Sequence, residues 1–315
     1  MNKAIELLAN TKKTRSDKRY VSLDVAYGIR ARVHLTMHNY ADALKDAEAA
    51  LASTSSVPYS SAAVSKPTFI DIEDASWMWG ILITDKDRVS TTGICNFPSH
   101  MGSLNYGYAS VGGWRRISPK LYNQIPESDV RKGWFLDDTG VSVNLPAAAQ
   151  AYITKKGAPV YTQVKYGPMN DEWGSNNNAT DVILMRVEEM YLIKAEAQAM
   201  NNDVSGGVNT LNSFVNTYRD PSYKCTATTG EAVQEAVWHQ RRIEFWGEGL
   251  AYFDIMRLNK GVNRLGCGFP KTAVFNIAAG DPVQIYSIPN KEVQYNPLLE
   301  NNPLVSAPTP IPDEE

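Results

Sequence analysis

The spacing of apolar residues predicts two helical hairpins, one early in the chain and one after its middle. In residues 22–53 the apolar positions form two helical stripes, separated by a short turn at residues 38–40. Residues 182–219 repeat this layout, and their predicted core positions are Leu184, Val187, Met190, Tyr191 and Ile193. The charged residues of the same helix are expected to face water, namely Glu188, Glu189, Lys194 and Glu196. A further helix is predicted to begin at Thr228, which fits a capping box with Glu231.

The first hairpin carries small residues where its two helices would cross. Ala31, Ala43 and Ala47 leave room for close antiparallel packing, and Tyr40 is followed by alanines at helical spacing. This pattern is typical of a tetratricopeptide repeat, in which one unit cannot bury its apolar face alone. We therefore predict a mainly α-helical protein, with a tetratricopeptide-like scaffold formed by residues 1–56 and 182–303.

Between these helical regions the composition shifts to Gly, Ser, Asn, Pro and aromatic residues. Segments such as NYGYASVGGWRR and DEWGSNNNAT are typical of loops with short helices and strands. Residues 57–181 are therefore predicted to form a large, irregular, loop-rich insertion that carries the binding surface, because loops on a rigid frame commonly do so. Residues 304–315 are rich in proline and acidic residues and are predicted to form a flexible tail.

The composition removes several classes of function. The 31 Lys and Arg residues against 34 Asp and Glu residues give a net charge of -3 without a basic block, so nucleic acid is not an expected partner. Cys95, Cys225 and Cys267 show no zinc-site spacing. No apolar run approaches the roughly 20 residues needed to cross a bilayer. We predict no cofactor and no metal site.

The most charged stretch, RRIEFWGEGLAYFDIMR, runs from Arg241 to Arg257. Glu244 and Glu248 could act as general acid and base, as paired carboxylates do in glycoside hydrolysis. However, Gly247 breaks the helix between them, and charges buried at such a corner need partners, which the neighbouring arginines supply. We therefore interpret the stretch as scaffold and predict that the protein is not an enzyme.

Several segments carry a resemblance to one family. RRIEFWGEGLAYFDIMRLNKG resembles the signature helix–turn–helix of SusD/RagB proteins, and IPNKEVQYNPLLENNP is similar to the closing segment of that family. RVEEMYLIKAEAQA and ARVHLTMHNYADALKDA resemble its tetratricopeptide helices, and LYNQIPESDVRKGWF its central region. The resemblance extends from about residue 20 to the C-terminus.

The resemblance implies a surface-exposed lipoprotein of the Gram-negative outer membrane that takes part in polysaccharide utilisation. Such a protein would bind glycans or glycoconjugates and deliver them to a TonB-dependent, SusC-like transporter. The lipoprotein signal peptide, acylated cysteine and first helices of the family are absent from this sequence. N-terminal truncation is therefore expected, and the membrane would be contacted only through a lipid anchor that this chain lacks.

A glycan site needs aromatic rings for the C–H faces of sugars, flanked by amide and charged side chains for the hydroxyl groups. The insertion offers such residues, and the predicted ligand-binding set is Trp77, Trp79, Asn105, Tyr106, Tyr108, Trp114, Arg115, Trp173 and Asn176. WMWGILIT also fits a buried strand, which favours the core for Trp77 and Trp79. Tyr106, Tyr108 and Trp173 lie between Asn and Gly residues, where exposure and burial are equally expected.

Two alternative functions fit the same chain. A glycan-degrading enzyme would use carboxylates of the insertion, such as Asp71, Glu73 or Asp74, as acid and base. A protein-interaction scaffold would use the helical repeats alone. Glycan binding is preferred because helical repeats more often present binding surfaces than catalytic clefts.

Overall fold

A computed structural model describes residues 1–11, 14–91, 96–303 and 305–308. Cys95 and most of the predicted tail lie outside these residues. The predicted mainly α-helical fold is confirmed, with helices α1 Asn2–Asn10, α2 Leu23–Thr36, α3 Tyr40–Ser53, α4 Ser61–Val64, α5 Phe97–Met101, α6 Pro119–Tyr122, α7 Ala147–Lys155, α8 Val187–Met200, α9 Val204–Tyr218, α10 Gly230–Glu244, α11 Ala251–Arg257 and α12 Asn290–Tyr295. The strands form two antiparallel pairs, β1 Trp77–Ile81 with β2 Val182–Arg186, and β3 Val262–Asn263 with β4 Asn276–Ile277.

The helical hairpins stack on one another as a repeat scaffold. Helix α2 packs on α3, α3 packs on α8, and α8 packs on both α9 and α10. Ala31, Ala43 and Ala47 are completely buried in the layer between these helices, as the small-residue pattern predicts. His38 forms the predicted turn with a left-handed backbone, and its Nε2 lies 2.7 Å from the carbonyl oxygen of Arg257. The first hairpin is thereby joined to α11.

Side-chain caps begin the later helices of the scaffold. The carboxylate of Asp203 accepts a hydrogen bond from the Gly206 amide at 2.9 Å at the start of α9. Helix α10 is capped by Thr229, whose hydroxyl accepts from the Ala232 amide at 3.2 Å, rather than by Thr228 as predicted. The difference is one residue, because two adjacent threonines offer the same chemistry.

The insertion contains short helices and strand β1, and its loops pack around an aromatic core. Phe69 packs edge-on against Trp134, with ring centroids 5.5 Å apart, and against Tyr59 and Tyr166 at 4.9 and 6.0 Å. Isolated bridges such as Arg116 with Thr162 and Phe135 with Gln163 tie its loops together. These contacts fix the loops of the insertion to one another.

A buried ion-pair network joins the insertion to the scaffold. The Glu244 carboxylate accepts hydrogen bonds from Arg219 Nε at 2.8 Å, Arg186 Nη1 at 2.9 Å and Arg131 Nη1 at 3.2 Å. Burial raises the pKa of Glu244, but the guanidinium groups of Arg219 and Arg186 outweigh it and hold that pKa well below its ordinary value. Glu244 is therefore a fixed anion between three arginines that lie in different parts of the chain.

Glu248 extends the same network. It accepts from Lys165 Nζ at 2.6 Å and from Arg186 Nη2 at 2.8 Å. Burial lowers the pKa of Lys165 to about 8, although Glu248 opposes the shift. The interpretation of this stretch as scaffold agrees with the geometry, because both glutamates have their oxygens occupied by cations of the protein itself.

The glutamates of α8 contradict the prediction that they face water. Glu188 and Glu196 have no exposed surface, and Glu189 has almost none. Glu196 pairs with Arg257 at 2.5 Å, and Glu189 pairs with Arg32 at 2.5 Å. Buried charges are stable only when paired, and each partner comes from another element of the scaffold.

None of the helices in the described ranges is both long and apolar enough to span a membrane.

Candidate ligand-binding site

We define the aromatic patch as five aromatic residues of the insertion, three of which pack on one small core: Tyr106, Tyr108, Trp114, Tyr152 and Trp173. Trp114, Tyr152 and Trp173 are half-buried against a core cluster made of Leu104, Leu136, Ala149, Ile153 and Val164. Tyr106 is 48% exposed and Tyr108 is 42% exposed. The patch therefore combines rings fixed by packing with rings that solvent can reach.

Backbone hydrogen bonds hold the two loops of the aromatic patch side by side. The Gly174 amide donates to the Leu104 carbonyl, and the Tyr106 amide donates to the Ser175 carbonyl, each at 2.8 Å. Gly174 has φ of 82°, and a Cβ there would lie 2.6 Å from the ring of Tyr152. Only glycine meets both requirements without strain. Tyr106 and Trp173 are thus brought together although they are far apart in sequence.

Cations accompany the exposed rings. Lys156 Nζ lies 5.3 Å from the ring centroid of Tyr106 and 5.7 Å from that of Tyr152. The guanidinium of Arg115 lies 5.6 Å from the ring of Tyr108, and its Nη2 is 3.2 Å from His100 Nδ1. Within the described part of the chain, neither Lys156 nor Arg115 forms an ion pair with a carboxylate. Their charges remain available to a ligand.

The two asparagines of the predicted site, Asn105 and Asn176, differ in exposure. The side chain of Asn176 is exposed. It lies near Tyr106, because its loop pairs with residues 104–106. Asn105 is 2% exposed, and its Nδ2 donates to Asn178 Oδ1. The prediction of Asn105 as a ligand-binding residue is therefore corrected, because its side chain is directed into the loop, where it bonds to Asn178.

The two tryptophans of β1 do not join the aromatic patch. Trp77 is completely buried in the insertion core, and its indole nitrogen donates to the Tyr59 hydroxyl at 2.8 Å, so its predicted contact with a ligand is corrected. Trp79 packs on the scaffold core and donates to the Arg19 carbonyl at 3.1 Å. The ladder of β1 with β2 is irregular between these residues. Such an irregularity re-aims side chains, which explains why the two tryptophans enter different clusters.

The carboxylates considered for catalysis have structural roles. Asp74 accepts a hydrogen bond from the Tyr59 hydroxyl at 2.5 Å, and burial raises its pKa. Asp71 accepts from the backbone amide of Glu73 at 2.8 Å. No group of three or more His, Cys, Asp or Glu residues in the ranges described is placed to hold a metal ion. The arrangement fits recognition of a ligand better than acid and base chemistry.

Sequence comparison decides the family. Residues 131–304 match the model of the SusD family, which is more than half of the 315 residues. The chain belongs to the SusD family. The matched segment contains the ion-pair network around Glu244 and one loop of the aromatic patch, and the predicted resemblance is confirmed.

Solved structures with the SusD-like fold resemble this SusD-family chain. A SusD superfamily protein from Bacteroides thetaiotaomicron is 21% identical, with a TM-score of 0.75 over 96% of this chain and 65% of its own. A SusD-like carbohydrate-binding protein from Bacteroides vulgatus is 23% identical, with a TM-score of 0.66 over 92% of this chain and 54% of its own. A surface glycan-binding protein A from B. thetaiotaomicron is 16% identical, with a TM-score of 0.64 over 96% of this chain and 69% of its own.

These likenesses establish the fold. The chain spans about half to two thirds of the length of these three structures. None of the curated proteins compared with the chain matches it.

Sequence reasoning missed three residues of the site. Tyr152 and Lys156 lie in and just after α7, and His100 stacks on Tyr108 with ring centroids 4.6 Å apart. A usable signal was present in the spacing, because Tyr152 and Lys156 are four residues apart and share one helix face. An aromatic residue and a lysine at that spacing on a helix indicate a half-exposed ring under a cation.

Proposed function

We propose that this SusD-family protein binds glycans at the aromatic patch. The observation that carries the proposal is the group of solvent-accessible rings, Tyr106 and Tyr108, beside Lys156 and Arg115, which have no carboxylate partner among the described residues. Rings offer flat faces to the C–H groups of a sugar, and charged or amide groups bind its hydroxyl and acidic groups. Proteins of this fold include a carbohydrate-binding protein and a surface glycan-binding protein.

The surroundings of the buried carboxylates support glycan binding without catalysis. Glu244 and Glu248 are enclosed by Arg131, Arg186, Arg219 and Lys165, so neither is free to donate or accept a proton at a glycosidic bond. A general acid needs access to the leaving oxygen and a pKa near the working pH. The pKa of Glu244 is shifted in the opposite direction, because arginines stabilise its charged form.

Isothermal titration with a panel of oligosaccharides, followed by analysis of the products, tests this function. We expect saturable binding without cleavage. Acidic oligosaccharides such as oligogalacturonate should bind more tightly than neutral maltohexaose and with greater sensitivity to salt, because Lys156 and Arg115 have no counter-ion in the described part of the protein. Cleaved sugar that disappears in Asp71→Ala would instead establish the enzyme. The absence of binding to every glycan would favour the interaction scaffold.

We further propose delivery of the glycan to a TonB-dependent, SusC-like transporter at the surface of the outer membrane. An apolar groove of about 440 Å³ between α2 and α11 supports an interface with a protein partner. Phe253 is 60% exposed at this groove, and Val33 and Met37 are also exposed there. Large exposed apolar side chains that surround one groove are typical of protein interaction sites.

Phe253→Asp tests the transporter interface. The variant is expressed in the bacterium that produces the protein and is purified with its partners. We expect at least tenfold less of a TonB-dependent transporter, identified by mass spectrometry, because a charge enters the apolar groove. Leu298→Asp is the matched control, since Leu298 is equally apolar and almost completely exposed outside the groove. Equal recovery of the transporter with both variants would exclude the groove as the interface.

A further inference from the structure

A second cleft lies in the insertion, separate from the aromatic patch. It has a volume of about 490 Å³ and lies between α6, the 3₁₀ turn Val130–Trp134 and the loop at residues 137–144. The described residues that line it include none of the aromatic patch. Its size is that of a small-molecule site, and its lining combines two tyrosine rings with four carboxylates: Tyr122, Tyr161, Glu127, Asp129, Asp137 and Asp138.

Tyr122 presents an unused hydroxyl to this cleft. The residue is 8% exposed, yet its hydroxyl has no hydrogen-bond partner among the residues that the structure describes. The hydroxyl oxygen keeps solvent-accessible surface, and the residue lines the cleft, so the oxygen is open to the cleft. Burial raises the pKa of Tyr122 to about 12, and the charges of Asp137, Glu127 and Asp138 add to the shift. A phenol hydroxyl that opens into a cleft can donate to and accept from a ligand.

The carboxylates of the cleft are not all neutralised. Asp129 pairs with Arg131 at 2.6 Å, and Glu127 pairs with Lys132. Asp138 is exposed and has no ion-pair partner within the described ranges.

Asp137 uses only one of its two oxygens within the protein. Its Oδ1 accepts from the amides of Thr139 and Val141 at 2.8 and 2.9 Å, and no hydrogen bond of the described chain uses its Oδ2. The cleft therefore keeps two carboxylates, of Asp137 and Asp138, for a ligand, and the sign of its charge selects a cation.

The rest of the lining favours a sugar ring. The ring of Tyr161 is half-buried, with its centroid 5.2 Å from that of Tyr122 and tilted by 59°. Lys132 Nζ lies 5.0 Å from the ring of Tyr122 and is already paired with Glu127. Asn123 contributes an exposed amide to the lining. An aromatic face, an amide and a phenol are groups that bind the C–H faces and hydroxyl groups of a saccharide.

We propose that this cleft binds an amino sugar with a free ammonium group, as a glycan site distinct from the aromatic patch. Asp137 and Asp138 receive the ammonium group, and the Tyr122 hydroxyl bonds to a sugar hydroxyl. The ring of Tyr161 supports the C–H face of the sugar. A bare metal ion fits less well, since no cluster of three ligating side chains is present in the described chain. A neutral sugar leaves the two carboxylates without a counter-charge.

Titration with glucosamine tetrasaccharide and with its fully N-acetylated counterpart tests the site. We expect the amino form to bind and the acetylated form to bind at least tenfold more weakly, because acetylation removes the positive charge. Tyr122→Phe and Asp138→Asn should each weaken binding of the amino form by about tenfold. Tyr122→Phe deletes only an oxygen that has no partner within the described protein, so its melting temperature should match the wild type. Asp85→Asn removes an exposed carboxylate elsewhere in the insertion and should bind normally.

Three outcomes would contradict the proposed amino-sugar site. The first is equal affinity for the amino and acetylated forms, and the second is full affinity in the Tyr122→Phe, Asp138→Asn double variant. The third is tetralysine binding as tightly as the amino sugar, which would assign the cleft to cationic peptides. Tyr106→Ala with Tyr108→Ala separates this site from the aromatic patch, because that variant should keep its affinity for glucosamine tetrasaccharide. Loss of that affinity would place the amino sugar at the patch instead.

Discussion

Glu244→Ala is expected to lower the free energy of unfolding by about 3–5 kcal/mol, the usual cost of removing one partner from a buried ion pair. Glu244 has no exposed surface, and its carboxylate accepts from Arg131, Arg186 and Arg219. Without it, three guanidinium groups lose an anion in a place that water does not reach. The penalty arises from these orphaned charges rather than from the lost apolar contacts of a glutamate side chain.

Urea denaturation of the wild type and Glu244→Ala measures this difference, with Glu48→Ala as the matched control. Glu48 pairs with Lys194 at 3.0 Å, but its side chain is 50% exposed, so its removal should cost less than about 1 kcal/mol. A Glu244→Ala protein with wild-type stability that no longer binds glycan would reverse the assignment, because Glu244 would then belong to the ligand site. Equal losses of unfolding free energy in the two variants would mean that the burial of the network does not determine how much its ion pairs stabilise the fold.

The position of this network explains why one glutamate matters to the whole fold. Glu244 lies at the end of α10, Arg131 belongs to the insertion, and Arg186 ends β2. Arg186 also bonds to Glu248, so the charges form a continuous group rather than isolated pairs. Such a group holds the insertion in one orientation on the helices.

The helical scaffold was predictable from sequence, whereas the burial of its glutamates was not. Ala31, Ala43 and Ala47 are buried where helical spacing places them. The same spacing assigns Glu188 to water, because a single helix contains no information about its partners. Two arginines pair with Glu188: Arg186, at the end of β2, and Arg219, which is 31 residues further along the chain. Only the packing of α8 against α9 and α10 makes a buried glutamate stable.

The candidate site was predictable in part, for a similar reason. Tyr106 and Tyr108 are exposed, and their short loop contains the glycine and asparagine that the prediction used. Trp77 could not be separated from Trp79 by sequence, because a local irregularity in the ladder directs them into different cores. Tyr152 was missed because its segment, YITKKG, was predicted only as part of the irregular insertion, whereas helix α7 places its ring beside the patch.

Tyr106→Ala combined with Tyr108→Ala is expected to weaken glycan binding by about 5- to 150-fold. Each lost stacking contact contributes about 0.5–1.5 kcal/mol, so two contribute about 1–3 kcal/mol. The melting temperature should hardly change, since both side chains are nearly half exposed and neither belongs to a buried apolar cluster. Trp173 is left intact because it packs on the core below the patch, so its replacement would alter stability and affinity together.

Tyr295→Ala controls for the loss of an exposed tyrosine, since Tyr295 is 85% exposed and lies on α12, outside the aromatic patch. Isothermal titration of both variants with the tightest oligosaccharide of the panel, together with a thermal melt, gives the comparison. Wild-type affinity in the Tyr106→Ala, Tyr108→Ala variant would remove the aromatic patch as the glycan site. A large drop in melting temperature would show instead that these rings support the fold, because a ring that only meets a ligand contributes little to the free protein.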